Sequence, residues 1–304
     1  MLDFKIAPSV QEALATGRPL VALESTVISH GLPYPDNLAI AQEMETAVRD
    51  SSANSALPAT IAILNGQIII GLDNAQLEHL AQAKGVRKCS RRDIPIVVAG
   101  RQDGATTVAG TMVLADMAGI RIFATGGIGG VHRGHPFDVS ADLLELARTP
   151  VCVVCAGAKS LLDLPATLQV LETHSVPVIG YRTAEFPAFY TPSSGLPVTT
   201  RADSPAEVVA IIQAQKALGY TGGTLLTVPV PAADALPPKK ARAAITEALR
   251  RAESAGITGP AVTPFLLAQI AKITGGQSVA ANRSLLLNNC RVAAQIAVAL
   301  EPRP

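Results

Sequence analysis

An apolar segment runs directly into a glycine-rich turn at Ile120-Arg-Ile-Phe-Ala124 and Thr125-Gly-Gly-Ile-Gly-Gly-Val-His-Arg-Gly134. This order is typical of a buried parallel strand that ends at the edge of its sheet. Five glycines in nine residues let the backbone turn tightly and present its N–H groups to an anion. Because α/β proteins bind ligands at the carboxyl ends of such strands, we interpret the turn as part of a binding site. A flexible surface loop is the alternative.

The glycine-rich turn does not match the two common nucleotide-binding motifs. His132 stands where the dinucleotide fingerprint requires its third glycine, and no Gly-Lys-Ser or Gly-Lys-Thr closes the segment as it would in a P-loop. The turn therefore indicates an anion site without identifying the ligand.

Apolar runs alternate with helical patterns along most of the chain. The predicted strands are residues 19–23, 59–64, 67–70, 94–99, 120–124, 151–155, 176–181 and 224–228. The predicted helices include residues 36–51, 73–83, 239–254, 262–274 and 284–300. Asn65-Gly66 indicates a type I′ hairpin, which makes the sheet mixed rather than purely parallel. The alternation predicts an α/β fold, and the absence of repeats and linker tracts predicts a single domain over residues 1–304.

The composition indicates a globular protein with a large core. Of 304 residues, 48% are hydrophobic and 16% are charged, which excludes global disorder. Mean hydropathy is +0.32, but no apolar run approaches the roughly 18 residues that a membrane helix needs. We therefore expect a sheet buried on both faces and no membrane association.

Charge and cysteine content restrict the compartment and the partners. The start, Met1-Leu-Asp-Phe-Lys5, lacks the pattern of a secretion signal, and the four cysteines show no disulfide-like spacing, so we expect a cytoplasmic protein. A net charge of +1, no Trp and ten Phe plus Tyr argue against binding to nucleic-acid polymers. A single nucleotide remains compatible, because one phosphate needs only a local pocket.

Two residues near predicted strand ends could carry acid–base or nucleophilic chemistry. Glu24 is either a general acid or a carboxylate satisfied by neighbouring N–H groups. Lys159 closes Pro150-Val-Cys-Val-Val-Cys-Ala-Gly-Ala-Lys159, where loss of water would favour a neutral amine able to attack a carbonyl. An ordinary solvated lysine at the start of a helix is an equal alternative.

The segment Phe137-Asp-Val-Ser-Ala-Asp142 offers oxygen ligands beside the glycine-rich turn. A single carboxylate with water suits Mg²⁺ or Mn²⁺, whereas the EF-hand pattern fails because Leu143 replaces its glycine. The alternative is a capping box formed by Asp142 and Glu145 at the start of a helix.

Three further features have both structural and functional interpretations. The basic stretch Lys84-Gly-Val-Arg-Lys-Cys-Ser-Arg-Arg-Asp93 is either a solvated face or a grip for a phosphate, to which arginine is suited. Cys152 and Cys155 form a C-x-x-C on a predicted strand, where residues three apart face opposite sides, so both are predicted to be core residues. His30 and His132, beside glycines, either contact ligand or form structural hydrogen bonds.

The order of these motifs resembles that of the pseudouridine-5′-phosphate glycosidases, also called the indigoidine synthase A-like family. The resemblance covers nearly the whole chain. The matching stretches are Val21-Ala-Leu-Glu-Ser-Thr-Val-Ile-Ser-His-Gly31, Pro58-Ala-Thr-Ile-Ala62, Lys88-Cys-Ser-Arg-Arg-Asp93, Gly104-Ala-Thr-Thr-Val108, Phe123-Ala-Thr-Gly-Gly-Ile-Gly-Gly-Val-His-Arg-Gly134, Phe137-Asp-Val-Ser-Ala-Asp142, Val154-Cys-Ala-Gly-Ala-Lys159, Glu185-Phe-Pro-Ala-Phe189, Thr263-Pro-Phe-Leu-Leu267 and Asn288-Asn289.

The resemblance implies a three-layer α/β/α sandwich around a mostly parallel mixed sheet, assembled as a homotrimer. It also implies reversible cleavage of pseudouridine 5′-phosphate to uracil and ribose 5-phosphate with Mn²⁺, in pseudouridine catabolism and in metabolic association with a pseudouridine kinase. Matched motif by motif, it implies that Glu24 is the proton donor and Lys159 the nucleophile. The implied substrate contacts are Lys88, Val108, Ser140, Ala141 and Asp142, and the implied metal ligand is Asp138.

This chain departs from the family pattern in one loop. Only His135-Pro136 separates Gly134 from Phe137, two residues fewer than is usual, and we expect this to alter the metal neighbourhood. The sequence leaves open whether Asn288 or Asn289 reads the uracil edges, although an amide is the right type for that task.

Two alternative functions remain. One is a Schiff-base lyase or aldolase acting on another sugar phosphate, and the other is a non-catalytic sugar-phosphate-binding protein. The presence of both Glu24 and Lys159 argues against the second alternative, because binding alone needs neither residue.

Overall fold

A mixed sheet of eleven strands forms the centre of the protein, in a computed structural model that describes residues 4–257 and 262–300. The strands in the described residues are β1 (Phe4–Ile6), β2 (Leu20–Leu23), β3 (Leu57–Leu64), β4 (Gln67–Ile70), β5 (Arg87–Cys89), β6 (Gly104–Thr106), β7 (Ile122–Ala124), β8 (Val131–His132), β9 (His135–Val139), β10 (Cys152–Cys155), β11 (Leu162–Asp163), β12 (Val178–Tyr181), β13 (Thr200–Ala202) and β14 (Thr224–Thr227). The helices are α1 (Pro8–Thr16), α2 (Thr26–Ser29), α3 (Asp36–Ser51), α4 (Asn74–Gln82), α5 (Ile94–Ala99), α6 (Val108–Met117), α7 (Ala141–Leu146), α8 (Leu164–Thr173), α9 (Pro205–Ala217), α10 (Pro238–Ser254), α11 (Val262–Thr274) and α12 (Gln277–Leu300).

The main path of the large sheet has the order β1-β4-β3-β2-β7-β10-β14-β12-β13, and β5 and β6 join it beside β3. All pairs in this sheet are parallel except β3 with β4 and β3 with β6. Helices cover both sides, with α12 across β2, β7 and β10, so the predicted α/β/α fold with a mostly parallel mixed sheet is confirmed. A second, small sheet has the order β11-β8-β9.

The central strands are buried along their whole length, as their continuous apolar sequences predict. Every residue of β2, β7, β10 and β14 is buried. Their parallel pairing sets Val21 against Ile122, Ile122 against Cys152 and Cys152 against Thr224. The four strands therefore end at the same edge of the sheet, and the segments that follow them meet there.

The predicted hairpin is confirmed, and its turn has the expected backbone conformation. Asn65 and Gly66 link β3 to β4 with φ of 49° and 76°, the positive values that a type I′ turn requires. The core prediction for Cys152 and Cys155 is also correct, since both lie in β10 and burial raises the pKa of both thiols to about 12.

The prediction of a strand at residues 94–99 is wrong, because this segment is helix α5. Pro95 lacks the N–H that an interior strand must donate, whereas it is tolerated in the first turn of a helix. Ile94 and Val97, three residues apart, are buried, while Ile96 is 49% exposed. This is the burial pattern of a helix.

The last helix is longer than its sequence pattern indicates. α12 begins at Gln277 rather than at residue 284, directly after Gly275 and Gly276, whose φ values of 62° and 82° separate it from α11. None of the helices in the described part of the chain is long and apolar enough to cross a bilayer.

Candidate active site

The glycine-rich turn is fixed by main-chain hydrogen bonds that continue the pairing of β7 with β10 beyond the strand ends. These bonds run from Thr125 N to Val154 O (3.0 Å), from Ala156 N to Gly126 O (2.9 Å), from Ile128 N to Gly157 O (3.1 Å) and from Lys159 N to Ile128 O (3.1 Å). The turn is therefore an ordered extension of the sheet, and the interpretation of it as a flexible loop is wrong. Its ladder also brings Lys159 to the sheet edge.

Glu24 follows β2 at the same edge and is buried. Its two carboxylate oxygens accept hydrogen bonds from the hydroxyls of Thr26 and Thr125. The neighbouring Ser25 accepts a hydrogen bond from Thr106 N (2.8 Å) in β6. Strand β3 pairs with β2 up to Thr60 and with β6 at Ala62 and Ile63, so β6 lies beside β3 just beyond the end of β2. The chain thus turns away from the sheet at Glu24, and the carboxylate stands at the end of its strand with both oxygens oriented.

The pKa of Lys88 in β5 responds to three other charged residues of the site. Lys88 is partly exposed, but desolvation by the surrounding protein lowers its pKa, and the nearby ammonium of Lys159 lowers it further, while the carboxylates of Asp142 and Glu24 oppose the shift. The charges of three residues from three other segments therefore act on Lys88. The structure brings together the predicted proton donor, the predicted nucleophile and two of the predicted substrate contacts.

Asp142 links the glycine-rich turn to α6. Its Oδ1 accepts a hydrogen bond from Ala109 N (2.9 Å) and its Oδ2 accepts one from Gly129 N (2.8 Å). The buried Val108 begins α6 beside this contact, so Asp142 holds two predicted substrate-contacting segments against each other. Asp142 is itself buried.

The predicted capping box between Asp142 and Glu145 is wrong. Ser140 caps α7 instead, because its hydroxyl accepts a hydrogen bond from Asp142 N (3.2 Å), and the exposed Ala141 is the first helical residue. Glu145 is buried and binds Arg91, with 2.6 Å between Oε1 and Nη2.

The basic stretch contributes one lysine to the site, and its arginines have other partners. Arg87 binds the buried carboxylate of Asp93 at 2.9 Å, and Arg91 binds Glu145. Arg92 is largely exposed. Because alternate residues of a strand face opposite sides, Lys88 points to the site while Arg87 points away from it. The interpretation of Arg87 and Arg91 as a phosphate grip is therefore not supported.

His30 lies close to Lys88. Burial lowers the pKa of His30, the charge of Lys88 lowers it further, and a hydrogen bond to the backbone of Val86 opposes the shift. Its Nε2 is buried and has no hydrogen-bond partner in the described part of the chain. His132 belongs to β8, which pairs with β9 and β11.

The two asparagines of α12 contact the main chain. Asn289 is fully buried and donates from Nδ2 to Thr125 O at 2.8 Å, while Asn288 donates from Nδ2 to Pro229 O at 3.4 Å. The roles of Thr26, Thr125 and this amide contact were not predicted from the sequence. The available signal in the sequence was a threonine shortly after β2 and another after β7. Only the pairing of these two strands shows that both hydroxyls reach Glu24.

The residues around Asp138 do not form an enclosed metal site. Asp138 is exposed on β9, in a hairpin whose tight turn is Arg133-Gly134, with a φ of 73° at Gly134. Within residues 4–257 and 262–300 no group of three or more His, Cys, Asp or Glu side chains could hold a metal ion. A lone carboxylate offers the hard oxygen that Mn²⁺ accepts, so Asp138 is compatible only with an ion that keeps most of its water.

Fold and site together define an α/β/α enzyme in which two lysines and two carboxylates lie together at one edge of a mostly parallel sheet. The sequence profile described as "Indigoidine synthase A like protein" matches residues 9–299, and the chain belongs to this family.

Several relatives of known name match the whole chain. A protein of Herpetosiphon aurantiacus named pseudouridine-5′-phosphate glycosidase is 58% identical over 302 residues, which is 99% of each chain. A protein of Chloroflexus aurantiacus with the same name is 56% identical over 300 residues, which is 97% of each chain.

Two solved structures share the fold. The prealnumycin C-glycosynthase AlnA, in complex with ribulose 5-phosphate, has a TM-score of 0.90 and 42% identity, with 98% of this chain and 97% of that one covered. An indigoidine synthase A-like protein of Thermotoga maritima has a TM-score of 0.90 and 34% identity, with 99% and 97% covered.

Gly129 cannot be replaced without moving the Asp142 contact. A Cβ at this position would overlap the Ser140 side chain and lie 3.0 Å from Asp142 Oδ2. We expect Gly129→Ala to lower the free energy of unfolding by about 1–3 kcal/mol. We also expect it to lower the turnover of pseudouridine 5′-phosphate by about 100-fold, because misplaced site groups are costly.

Gly219→Ala is the matched control. Gly219 lies between α9 and β14 and has a positive φ of 74°, and apart from its chain neighbours no atom of the described residues lies within 4 Å of the position that a Cβ would take there. The substitution should cost about 1 kcal/mol in stability and leave turnover intact. Denaturant unfolding and a uracil assay measure both quantities, and equal turnover in the two variants would contradict the role of the Gly129 contact.

Proposed function

We propose that this protein reversibly cleaves the C–C glycosidic bond of pseudouridine 5′-phosphate, giving uracil and ribose 5-phosphate through a lysine imine. The observation that carries the proposal is that Lys159, Glu24 and Asp142 lie close enough to Lys88, at one sheet edge, for their charges to act on it. A site that holds two amines beside two carboxylates can bind a phosphorylated sugar and transfer protons to it.

The names of the relatives support this choice of substrate. Full-length relatives of 56–58% identity are named pseudouridine-5′-phosphate glycosidase. The C-glycosynthase with the same fold is complexed with a five-carbon sugar phosphate. C-Glycoside synthesis and C-glycoside cleavage concern the same kind of bond, which is consistent with a reversible reaction here.

The bond to be broken explains the need for a lysine. Ribose C1′ is joined to uracil C5, so the leaving group is a carbon without a lone pair to protonate. The usual pair of glycosidase carboxylates acts on an oxygen leaving group. An amine bonded to C1′ can instead stabilise the positive charge that develops there, because its lone pair forms an iminium ion.

The proposed steps conserve atoms and charge. Glu24, in its acid form, protonates the ring oxygen while the neutral amine of Lys159 attacks C1′, which breaks the bond from C1′ to the ring oxygen. The Glu24 carboxylate then takes a proton from the new secondary ammonium and delivers it to uracil C5. The C1′–C5 bond breaks, its electrons restore the C5–C6 double bond of uracil, and C1′ becomes an iminium carbon. Water hydrolyses the iminium ion and releases ribose 5-phosphate, and the resulting Lys159 ammonium returns a proton to the Glu24 carboxylate.

The remaining residues have binding roles in this proposal. The ammonium of Lys88 and the segments that contain Val108, Ser140 and Ala141 orient the ligand. Asp142 maintains the turn geometry through its two main-chain hydrogen bonds. Asp138 would hold Mn²⁺ mostly through water, and the ion would supply positive charge there.

Assembly and cellular context belong to the same proposal. A homotrimer, a cytoplasmic location and a metabolic link to a pseudouridine kinase are inferred from the family resemblance. Sedimentation equilibrium tests the first of these directly.

The activity is the first prediction of the proposed function. Purified protein with Mn²⁺ should release uracil from pseudouridine 5′-phosphate and should form pseudouridine 5′-phosphate from uracil and ribose 5-phosphate, both followed by chromatography. If uracil is neither released nor consumed while other sugar phosphates in a panel react, the lyase or aldolase alternative replaces this one. Binding of ribose 5-phosphate without any reaction would favour the non-catalytic alternative.

A covalent imine at Lys159 is the second prediction. Incubation with ribose 5-phosphate and borohydride should add one reduced sugar phosphate at Lys159, located by peptide mass mapping. Lys159→Ala should lose both the adduct and the turnover. Lys159→Arg is the matched variant, because it keeps a positive charge but forms no imine, and it should lose both as well. A label on Lys88, or turnover by Lys159→Ala, would show that the nucleophile is assigned wrongly.

Metal dependence is the third prediction. EDTA should abolish turnover and added Mn²⁺ should restore it, and Asp138→Asn should raise the Mn²⁺ concentration needed for half-maximal turnover. The physical reason is that a single carboxylate binds a mostly hydrated ion weakly and reversibly. Full activity in the presence of the chelator would rule out a metal requirement.

A further inference from the structure

Asn289 of α12 contacts the backbone of the glycine-rich turn from outside the catalytic cluster. Its Nδ2 donates to Thr125 O at 2.8 Å and approaches Gly126 O at 3.4 Å. Both partners are acceptors, so the nitrogen of the amide must face them and the orientation of the side chain is determined.

The two carbonyls belong to the two halves of the catalytic site. The Thr125 hydroxyl donates a hydrogen bond to the carboxylate of Glu24. Gly126 O also accepts a hydrogen bond from Ala156 N (2.9 Å), three residues before Lys159. One buried amide therefore contacts both Thr125, which orients Glu24, and Gly126, whose carbonyl is hydrogen-bonded to the segment that leads to Lys159.

We infer that Asn289 is a positioning residue for both Glu24 and Lys159. In the described part of the chain no hydrogen bond joins it to either residue, and it acts through the turn between them. The expected effect on kcat rests on the proposed function, whereas the hydrogen bonds of Asn289 to the turn do not depend on which substrate binds.

Other contacts of Asn289 and α12 explain why an amide is needed there. Leu285 and Leu286 pack against the same turn, and a Cβ on Gly126 would lie 3.2 Å from Leu286 Cδ2. Packing could therefore be supplied by an apolar side chain. Asn289 Oδ1 is buried and has no partner in the described residues, which is unfavourable for stability. The specific contribution of the residue is the N–H donation to the turn.

The central experiment compares Asn289→Ala with Asn37→Ala. Asn37 is also buried, and its Nδ2 also donates to two backbone carbonyls, those of Ile28 (2.8 Å) and Ala81 (2.9 Å). Both variants should lose thermal stability. Only Asn289→Ala should lower kcat, by about 10- to 100-fold with KM nearly unchanged, because the reacting groups are misplaced while the sugar phosphate still binds.

Two further variants test the route of the effect. Thr125→Val removes the hydroxyl that orients Glu24. In the double variant Asn289→Ala/Thr125→Val, the fold-decrease in kcat should be smaller than the product of the fold-decreases in the two single variants, because both changes affect one chain of contacts. Asn289→Ser retains one shorter donor and should have an intermediate kcat. It also serves if Asn289→Ala does not fold.

Hydrogen–deuterium exchange separates failure of this inference from failure of the proposed function. Amides in residues 125–130 and 154–160 should exchange faster in Asn289→Ala, or in Asn289→Ser, than in wild type, but not in Asn37→Ala. This result is expected even if the wild-type protein releases no uracil. Unchanged exchange in these segments, or equal kcat in the Asn289 and Asn37 variants, would overturn the positioning role.

Discussion

The main-chain hydrogen bonds between residues 125–128 and 154–159 are the interaction on which the site depends. They prolong the pairing of β7 with β10 beyond the regular strands and hold the glycine-rich segment in one ordered conformation, which forms the floor of the site. Glycine is required where the floor is crowded: a Cβ at Gly157, whose φ is 84°, would contact Pro187 O. Lys159 gains its position from this ladder, and Glu24 gains its orientation from Thr125 at the start of it.

Electrostatics at the sheet edge is a balance between like and opposite charges. Burial and the ammonium of Lys159 lower the pKa of Lys88, and the two carboxylates limit the shift. Ion pairs outside the site have a different task, since Arg87 with Asp93 and Arg91 with Glu145 anchor the segments around Lys88 and α7.

The sequence determined the elements with strong local signals. Continuous apolar runs identified the central strands, and Asn65-Gly66 identified the hairpin, because each signal depends only on neighbouring residues. The strand prediction for residues 94–99 is wrong because an apolar run of six suits a short strand and a short helix equally, and Pro95 was the local evidence for the helix. The motif order also identified Glu24, Lys88, Asp142 and Lys159 as candidates.

Only the tertiary structure decided how those candidates act together. Glu24 and Thr125 are 101 positions apart, and Thr125 and Asn289 are 164 apart, so no local pattern links them. The capping-box pattern at Asp142 was locally valid, but two backbone N–H groups from distant segments bind this carboxylate instead. Local sequence determines which strand or helix forms, whereas the partner of a buried polar group depends on which strand ends the sheet brings to one edge.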